Sequence, residues 1–147
     1  MNAKRIVVGG IVAGIIYYVG DGILHGLILE GQWRDVAATL QLPPEHDKGG
    51  YAWFAAYDLA KGIAAIFIYA AIRPRFGAGP RTAAIAGLIA WALAIPISLC
   101  GMIPLHFFGR KLAAEWSIIG AIPMVLGAVA GAALYREEPA SAASLAR

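Results

Sequence analysis

The chain has 147 residues, of which 60% are hydrophobic and only 14% are charged, and its mean hydropathy is +0.68. A soluble domain of this size carries far more polar surface, so the composition excludes a water-soluble enzyme or binding module and indicates an integral membrane protein. The net charge of +3 does not indicate a nucleic-acid partner, because the basic residues flank apolar segments, where lipid headgroups would meet them.

Four apolar segments follow one another along the chain, over residues 6–29, 51–72, 82–107 and 114–135. Each is long enough for the roughly 20 residues that a membrane-spanning helix requires. Lipid cannot satisfy backbone polar groups, so each segment is expected to be helical. The sequence therefore predicts an all-α polytopic membrane protein in which residues 1–136 form one four-helix bundle.

The first segment contains two ionisable residues, Asp21 and His25. Their four-residue spacing places both on one face of a helix. A charge is costly inside hydrocarbon, so we expect both side chains to face the bundle interior. In the loop that follows, Trp33, Val36 and Leu40 recur at helical spacing. This pattern predicts a short interfacial helix over residues 32–41, ended by LPPEHDKGG.

The second segment carries Asp58 and Lys61, which are three residues apart and can neutralise each other on one helix face. We expect Asp21 to contact this pair, with Lys61 as its favoured partner. Ser98 in the third segment is a further polar group at a similar depth. Together with His25, these residues predict a polar crevice in the half of the bundle that holds the first loop.

Small residues predict how the helices pack in the other half. Gly10 and Gly14, and again Gly127 and Gly131, have the four-residue spacing that allows close helix contact. The bundle is therefore expected to be closed in that half and looser around the polar residues. The final stretch, 137–147, is polar with little to bury, and we expect it to be a disordered cytoplasmic tail.

Basic residues predict the orientation in the membrane. One side carries Lys4, Arg5, Arg73, Arg75, Arg81, Arg136 and Arg147, and the other carries Arg34, Lys48, Arg110 and Lys111. Cytoplasmic loops hold the excess of lysine and arginine. Both termini are therefore expected in the cytoplasm, with residues 30–50 and 108–113 outside.

Several stretches carry a resemblance to a known family: KRIVVGGIVAGIIYYVGDGIL, QW followed by LPP, YAAIRPRFGAGPRTA and ALYREE. They resemble an uncharacterised family of small four-helix bacterial membrane proteins, over nearly the whole chain. The resemblance implies a multi-pass protein of the bacterial plasma membrane without an established activity. In that family the position of Asp21 is polar but need not be aspartate, and His25 is often another residue.

The function expected first is that of a non-catalytic accessory or packing subunit, with lipid and other membrane subunits, or a second copy of the chain, as partners. No catalytic residue, resident cofactor or nucleic-acid partner is predicted. One alternative is translocation or sensing of a small solute or proton through the polar crevice, with Asp21, His25, Asp58 and Lys61 as the path.

A second alternative is a redox or metal site. His25 and His106 occur at the same end of two different segments, where two axial haem ligands could meet. With Glu115 or Asp21 added, the set could hold a divalent metal ion.

Overall fold

The computed structural model describes residues 1–42 and 48–136, and every regular element in these ranges is helical. The elements in chain order are α1 (Ala3–Ile23) with a π-helical turn (Leu24–Ile28), α2 (Glu30–Thr39), α3 (Lys48–Phe76), α4 (Pro80–Ala94), α5 (Pro96–Met102) with a 3₁₀ turn (Ile103–Leu105), and α6 (Arg110–Ala133).

Four stretches in these ranges are long and apolar enough to cross a membrane: Ala3–Ile28, Gly50–Phe76, Pro80–Leu105 and Arg110–Ala133. They confirm the predicted fold class, an all-α protein with four potential spans. The short helix predicted in the first loop is also present, as α2. Of the predicted break LPPEHDKGG, residues 43–47 lie outside the described residues, as does the predicted tail over 137–147, whereas residues 48–50 already belong to α3.

The four spans form a ring, and α3 and α6 also touch across it. Helix α1 packs against α3 and α6, and α4 completes the ring by packing against the same two helices. This is an up-and-down bundle. We call the end that carries α2 and the connection from α5 to α6 the α2 end. The opposite end, which holds the start of α1 and the turn between α3 and α4, is the terminal end.

Glycines bring α1 and α3 into backbone contact. A Cβ atom built on Gly10 would lie 2.6 Å from the Cα of Ile63, and one on Gly14 would lie 2.7 Å from the Cα of Leu59. From the other side, Gly62 faces the backbone of Gly10 and Gly14. These separations are too short for any side chain, so the two helices can lie this close only because glycine occupies the positions.

Helix α6 approaches α1 in the same way. A Cβ on Gly127 would lie 2.9 Å from the carbonyl oxygen of Ala13, and one on Gly131 would lie 3.1 Å from the carbonyl carbon of Gly9. All four glycines singled out in the sequence therefore lie at close helix contacts, on both sides of α1. Gly9 joins them, although the sequence pattern did not single it out.

The third span is broken near its middle. Helix α4 ends at Ala94, and the next residue, Ile95, has φ −115° and ψ −80°, outside the helical range. Pro96 then begins α5. Proline has no backbone N–H and cannot continue an incoming helix, so it is suited to the first position of a new one. The remainder of the span, α5, packs against α4 and α6.

Candidate functional site

Three ionisable side chains meet between α1 and α3. The Nζ atom of Lys61 lies 2.8 Å from Oδ2 of Asp21 and 2.6 Å from Oδ1 of Asp58. The exposed fractions of the side chains are 7% for Lys61, 17% for Asp21 and 2% for Asp58. Both contacts expected for Lys61 are thus present. We call these three residues the triad.

The close packing of α1 and α3 positions the triad. Gly14 rests against Leu59, and Asp21 follows Gly14 by seven residues, or about two turns, on the same side of α1. Asp58 and Lys61 lie on the facing side of α3 and are both buried. The glycine contact therefore brings an α1 carboxylate within reach of an α3 ammonium group.

Two tyrosines surround the ammonium group of Lys61. The ring centroid of Tyr57 lies 4.7 Å from Nζ, within cation–π range, and that of Tyr17 lies 6.0 Å away. Tyr17 is fully buried and donates a hydrogen bond of 3.1 Å to the backbone carbonyl of Met124. Lys61 is therefore held by two carboxylates and an aromatic face at once.

An apolar cleft of about 300 Å³ lies beside the triad. Its lining residues come from α3, α4 and α6, and are Tyr57, Lys61, Ala64, Ile68, Ala90, Leu93, Ala94 and Met124. Only Lys61 among them is charged, and neither Asp21 nor Asp58 belongs to the lining. This opening is mainly apolar and meets the triad only through Lys61, so it is not the polar crevice that the sequence predicted.

The cleft results from the way the second and third spans separate toward the α2 end. Helices α3 and α4 are in contact, but α5, which continues the third span, packs chiefly against α4 and α6. The residues at the mouth of the cleft are correspondingly open, with Tyr57 53% and Leu93 57% exposed. The cleft thus faces sideways, toward the surroundings of the bundle.

Ser98 does not contribute to the triad, contrary to the sequence prediction. It is exposed, and its hydroxyl donates a hydrogen bond of 2.9 Å to the carbonyl oxygen of Leu93. The break at Ile95 removes this carbonyl's regular helical partner, because Pro96 and the residues after it begin a new helix. The serine therefore satisfies a polar group at the helix break.

His25 lies in a different group, at the α2 end. The π-helical turn over Leu24–Ile28 widens the helix at this residue. The Nδ1 atom of His25 accepts a hydrogen bond of 3.0 Å from Nε1 of Trp33, and its ring meets that of Trp116 edge-on at a centroid distance of 4.6 Å. Phe108 also packs edge-on against Trp33. We call His25, Trp33, Phe108 and Trp116 the aromatic cluster.

The residues considered for a haem or metal site have separate partners. His106 is exposed in a left-handed backbone conformation, with φ 56°, beside a groove between α2 and the start of α6. Glu115 accepts a hydrogen bond of 2.5 Å from Gln32. His25 belongs to the aromatic cluster. Among the described residues, no three His, Cys, Asp or Glu side chains are grouped so that they could hold a metal ion.

Two hydrogen bonds, one buried and one partly buried, were not anticipated from the sequence. These are the bond from Tyr17 to Met124 and the bond of 2.8 Å from Nε1 of Trp91 to the carbonyl oxygen of Ser117. Tyr17 precedes Asp21 by four residues, so its spacing could have placed it on the face of the triad. Comparison of the chain with models of known protein families, with curated proteins and with solved structures found no match.

Proposed function

We propose that the protein is a non-catalytic subunit of a larger membrane complex, and that a helix of a partner subunit packs into the cleft between α3 and α4. The observation that carries this proposal is the cleft itself, an apolar opening of about 300 Å³ on the side of a bundle whose other half is tightly closed.

The lining of the cleft suits a helix. Three of its side chains, Ala64, Ala90 and Ala94, are small and come from both walls. In membranes, small residues allow a neighbouring helix to approach closely, and this close packing is a main source of association free energy. Lys61 adds one polar anchor at the base of the cleft, where a carbonyl or hydroxyl group of the partner helix could accept a hydrogen bond.

Site-specific photo-crosslinking in intact cells tests the proposal. A photo-reactive amino acid at Leu93, on the wall of the cleft, should give one crosslinked product of defined mass. The matched control is Ile118 on α6, which is 72% exposed and outside the cleft lining, and it should give none. Ala64→Leu narrows the cleft and should reduce both the crosslink and the co-purification of the same partner.

Three outcomes would count against the proposal. Equal crosslinking from Leu93 and Ile118 would show that the cleft has no special role. A product with twice the mass of the chain would replace the partner subunit by a second copy. Crosslinks to lipid alone would leave the subunit proposal without support.

We further propose that the protein resides in the plasma membrane of a bacterium, with the terminal end in the cytoplasm. The exposed basic residues Lys4, Arg5, Arg75, Arg81 and Arg136 lie at that end, whereas Arg34, Arg110 and Lys111 lie at the α2 end. This excess follows the usual charge rule for cytoplasmic loops.

Cysteine labelling tests the orientation. In a Cys100→Ala background, Asp35→Cys on α2 should react with a membrane-impermeant maleimide in intact cells, because Asp35 is exposed at the α2 end. Arg75→Cys, exposed at the terminal end, should react only after lysis. The opposite pattern would reverse the orientation.

Translocation of a proton or small solute is the second candidate, and the triad is the observation that favours it. The packing between Lys61 and the terminal end argues against translocation. The interior there holds Ala65 and Ile66, both fully buried, and the close glycine contacts of α1. Purified protein in liposomes loaded with a pH-sensitive dye should therefore show no proton flux above that of empty liposomes.

A further inference from the structure

The triad contains two carboxyl groups and one ammonium group. If all three were ionised, the triad would carry one net negative charge inside the membrane-spanning part of the bundle. Tyr17 of α1 and Tyr57 of α3 face the triad. His25, in the turn after α1, interacts electrostatically with Asp21 and Lys61, but its ring is engaged by the aromatic cluster. Met124 of α6 and Ala90 of α4, which line the neighbouring cleft, have no ionisable group. No second cation among these residues compensates the triad.

We propose that the triad is a proton-binding site, which holds one proton between the carboxyl groups of Asp21 and Asp58 at neutral pH while Lys61 stays charged. The geometry brings the two carboxyl groups close together, because an oxygen of each contacts the same ammonium nitrogen, at 2.8 Å and 2.6 Å. The two oxygens are therefore separated by no more than the sum of these distances.

Burial is the reason that a proton should bind. An isolated net charge in a low-dielectric interior is strongly disfavoured, and two carboxylates close together relieve the repulsion by retaining one proton. The exchange is simple in chemical terms: one carboxylate takes up a proton from water and becomes a carboxylic acid, and the site becomes neutral. The carboxylic acid can then donate a hydrogen bond to the remaining carboxylate.

A metal cation suits this site less well. Hard cations require several oxygen ligands, about six for Mg²⁺ and six to eight for Ca²⁺. Here one oxygen from each carboxylate already contacts Lys61, whose positive charge would repel a second cation bound beside it. A proton needs one oxygen and adds no bulk.

Infrared spectroscopy of the full-length protein in lipid nanodiscs tests the proposal. With aspartate labelled by ¹³C at the side-chain carboxyl, the wild type at neutral pH should show the carbonyl band of about one protonated aspartic acid per chain. The band should shift in heavy water, as expected for an exchangeable carboxylic acid.

Variants show which residues give rise to the band. Asp21→Asn and Asp58→Asn each leave one carboxylate for one ammonium, so each should remove the band; asparagine resembles the protonated acid in shape, so both variants should fold. Lys61→Met removes the only cation of the triad and should double the intensity of the band. Asp35→Asn, on exposed α2, is the matched control and should leave it unchanged.

Three results would overturn the proposal. The wild type could lack the band at neutral pH while circular dichroism shows a folded protein. The band could instead persist in both asparagine variants, or it could vanish when sodium is raised at constant pH, which would assign the site to a metal cation. None of these results bears on the crosslinking from the cleft, so the two proposals can fail separately.

Discussion

Replacing Lys61 by methionine should destabilise the protein far more than replacing either aspartate by asparagine. Lys61 contacts both carboxylates and is 7% exposed, so its loss leaves two buried acids without a cation. Breaking a buried ion pair by removing one partner typically costs about 3 to 5 kcal/mol. The contact of the ammonium with the Tyr57 ring, worth about 0.5 to 2 kcal/mol, is lost as well.

The aspartate variants should behave differently because the triad has an excess of acid. Asp58→Asn removes an ion-pair contact with Lys61 but also removes the surplus acidic group, so the net loss should fall below that of Lys61→Met. The triple change Lys61→Met, Asp21→Asn and Asp58→Asn removes all the charges and should recover much of the loss.

The free energy of unfolding can be measured by titrating SDS into mixed micelles and following circular dichroism. Lys111→Met is the matched control: Lys111 lies 3.8 Å from Glu115 and is 78% exposed, and such surface pairs contribute about 0 to 1 kcal/mol. For Lys61→Met, the loss should shrink as the pH falls, because folding of this variant requires the two buried acids to take up protons, and this uptake is easier at lower pH. If Lys61→Met cost no more than Lys111→Met, the triad would not be a buried charge cluster and the reasoning would fail.

Two further predictions concern packing and the aromatic cluster. Gly10→Ala should cost about 1 to 3 kcal/mol in the same titration, because its Cβ would lie 2.6 Å from the Cα of Ile63. Gly22→Ala, with no atom within 4 Å of the new Cβ, should be neutral or slightly stabilising. Equal losses of stability in the two variants would contradict the close contact. His25 should be neutral with its proton on Nε2, because Nδ1 accepts a hydrogen bond from Trp33. The ¹⁵N chemical shifts of the imidazole should report this tautomer in the wild type and should change in Trp33→Phe. A proton on Nδ1 in the wild type would refute the assignment.

The spans and the pairing within one helix follow from local sequence. The apolar segments are long enough to span, and the three-residue spacing of Asp58 and Lys61 suffices to bring them together on any α-helix. Asp21 could be assigned to the same group because a charge at its depth needs a partner. These predictions require no knowledge of which helices are neighbours.

Other features depend on departures from regular helix geometry, which the sequence does not mark. The π-helical turn at Leu24–Ile28 contains no proline that would mark a departure from regular helix, yet it places His25 in the aromatic cluster. Pro96 marks a possible kink, but the rotation that leaves Ser98 exposed depends on the dihedral angles of Ile95. The role of Gly62 becomes visible only once α1 is known to pack against α3.

The contacts of α1 have a consequence for the order of assembly during synthesis. The first span packs against the last one through Gly9 and Gly131, and the backbone N–H of Asn2 donates a hydrogen bond to the hydroxyl of Tyr135, 133 positions later in the chain. As the chain emerges from the ribosome, the pair of α1 and α3 can form early, but the ring can close only when α6 has entered the membrane. A chain that stops before α6 would leave Ala13 and Tyr17 without their partner helix, and such an incomplete bundle should be a substrate for membrane proteases.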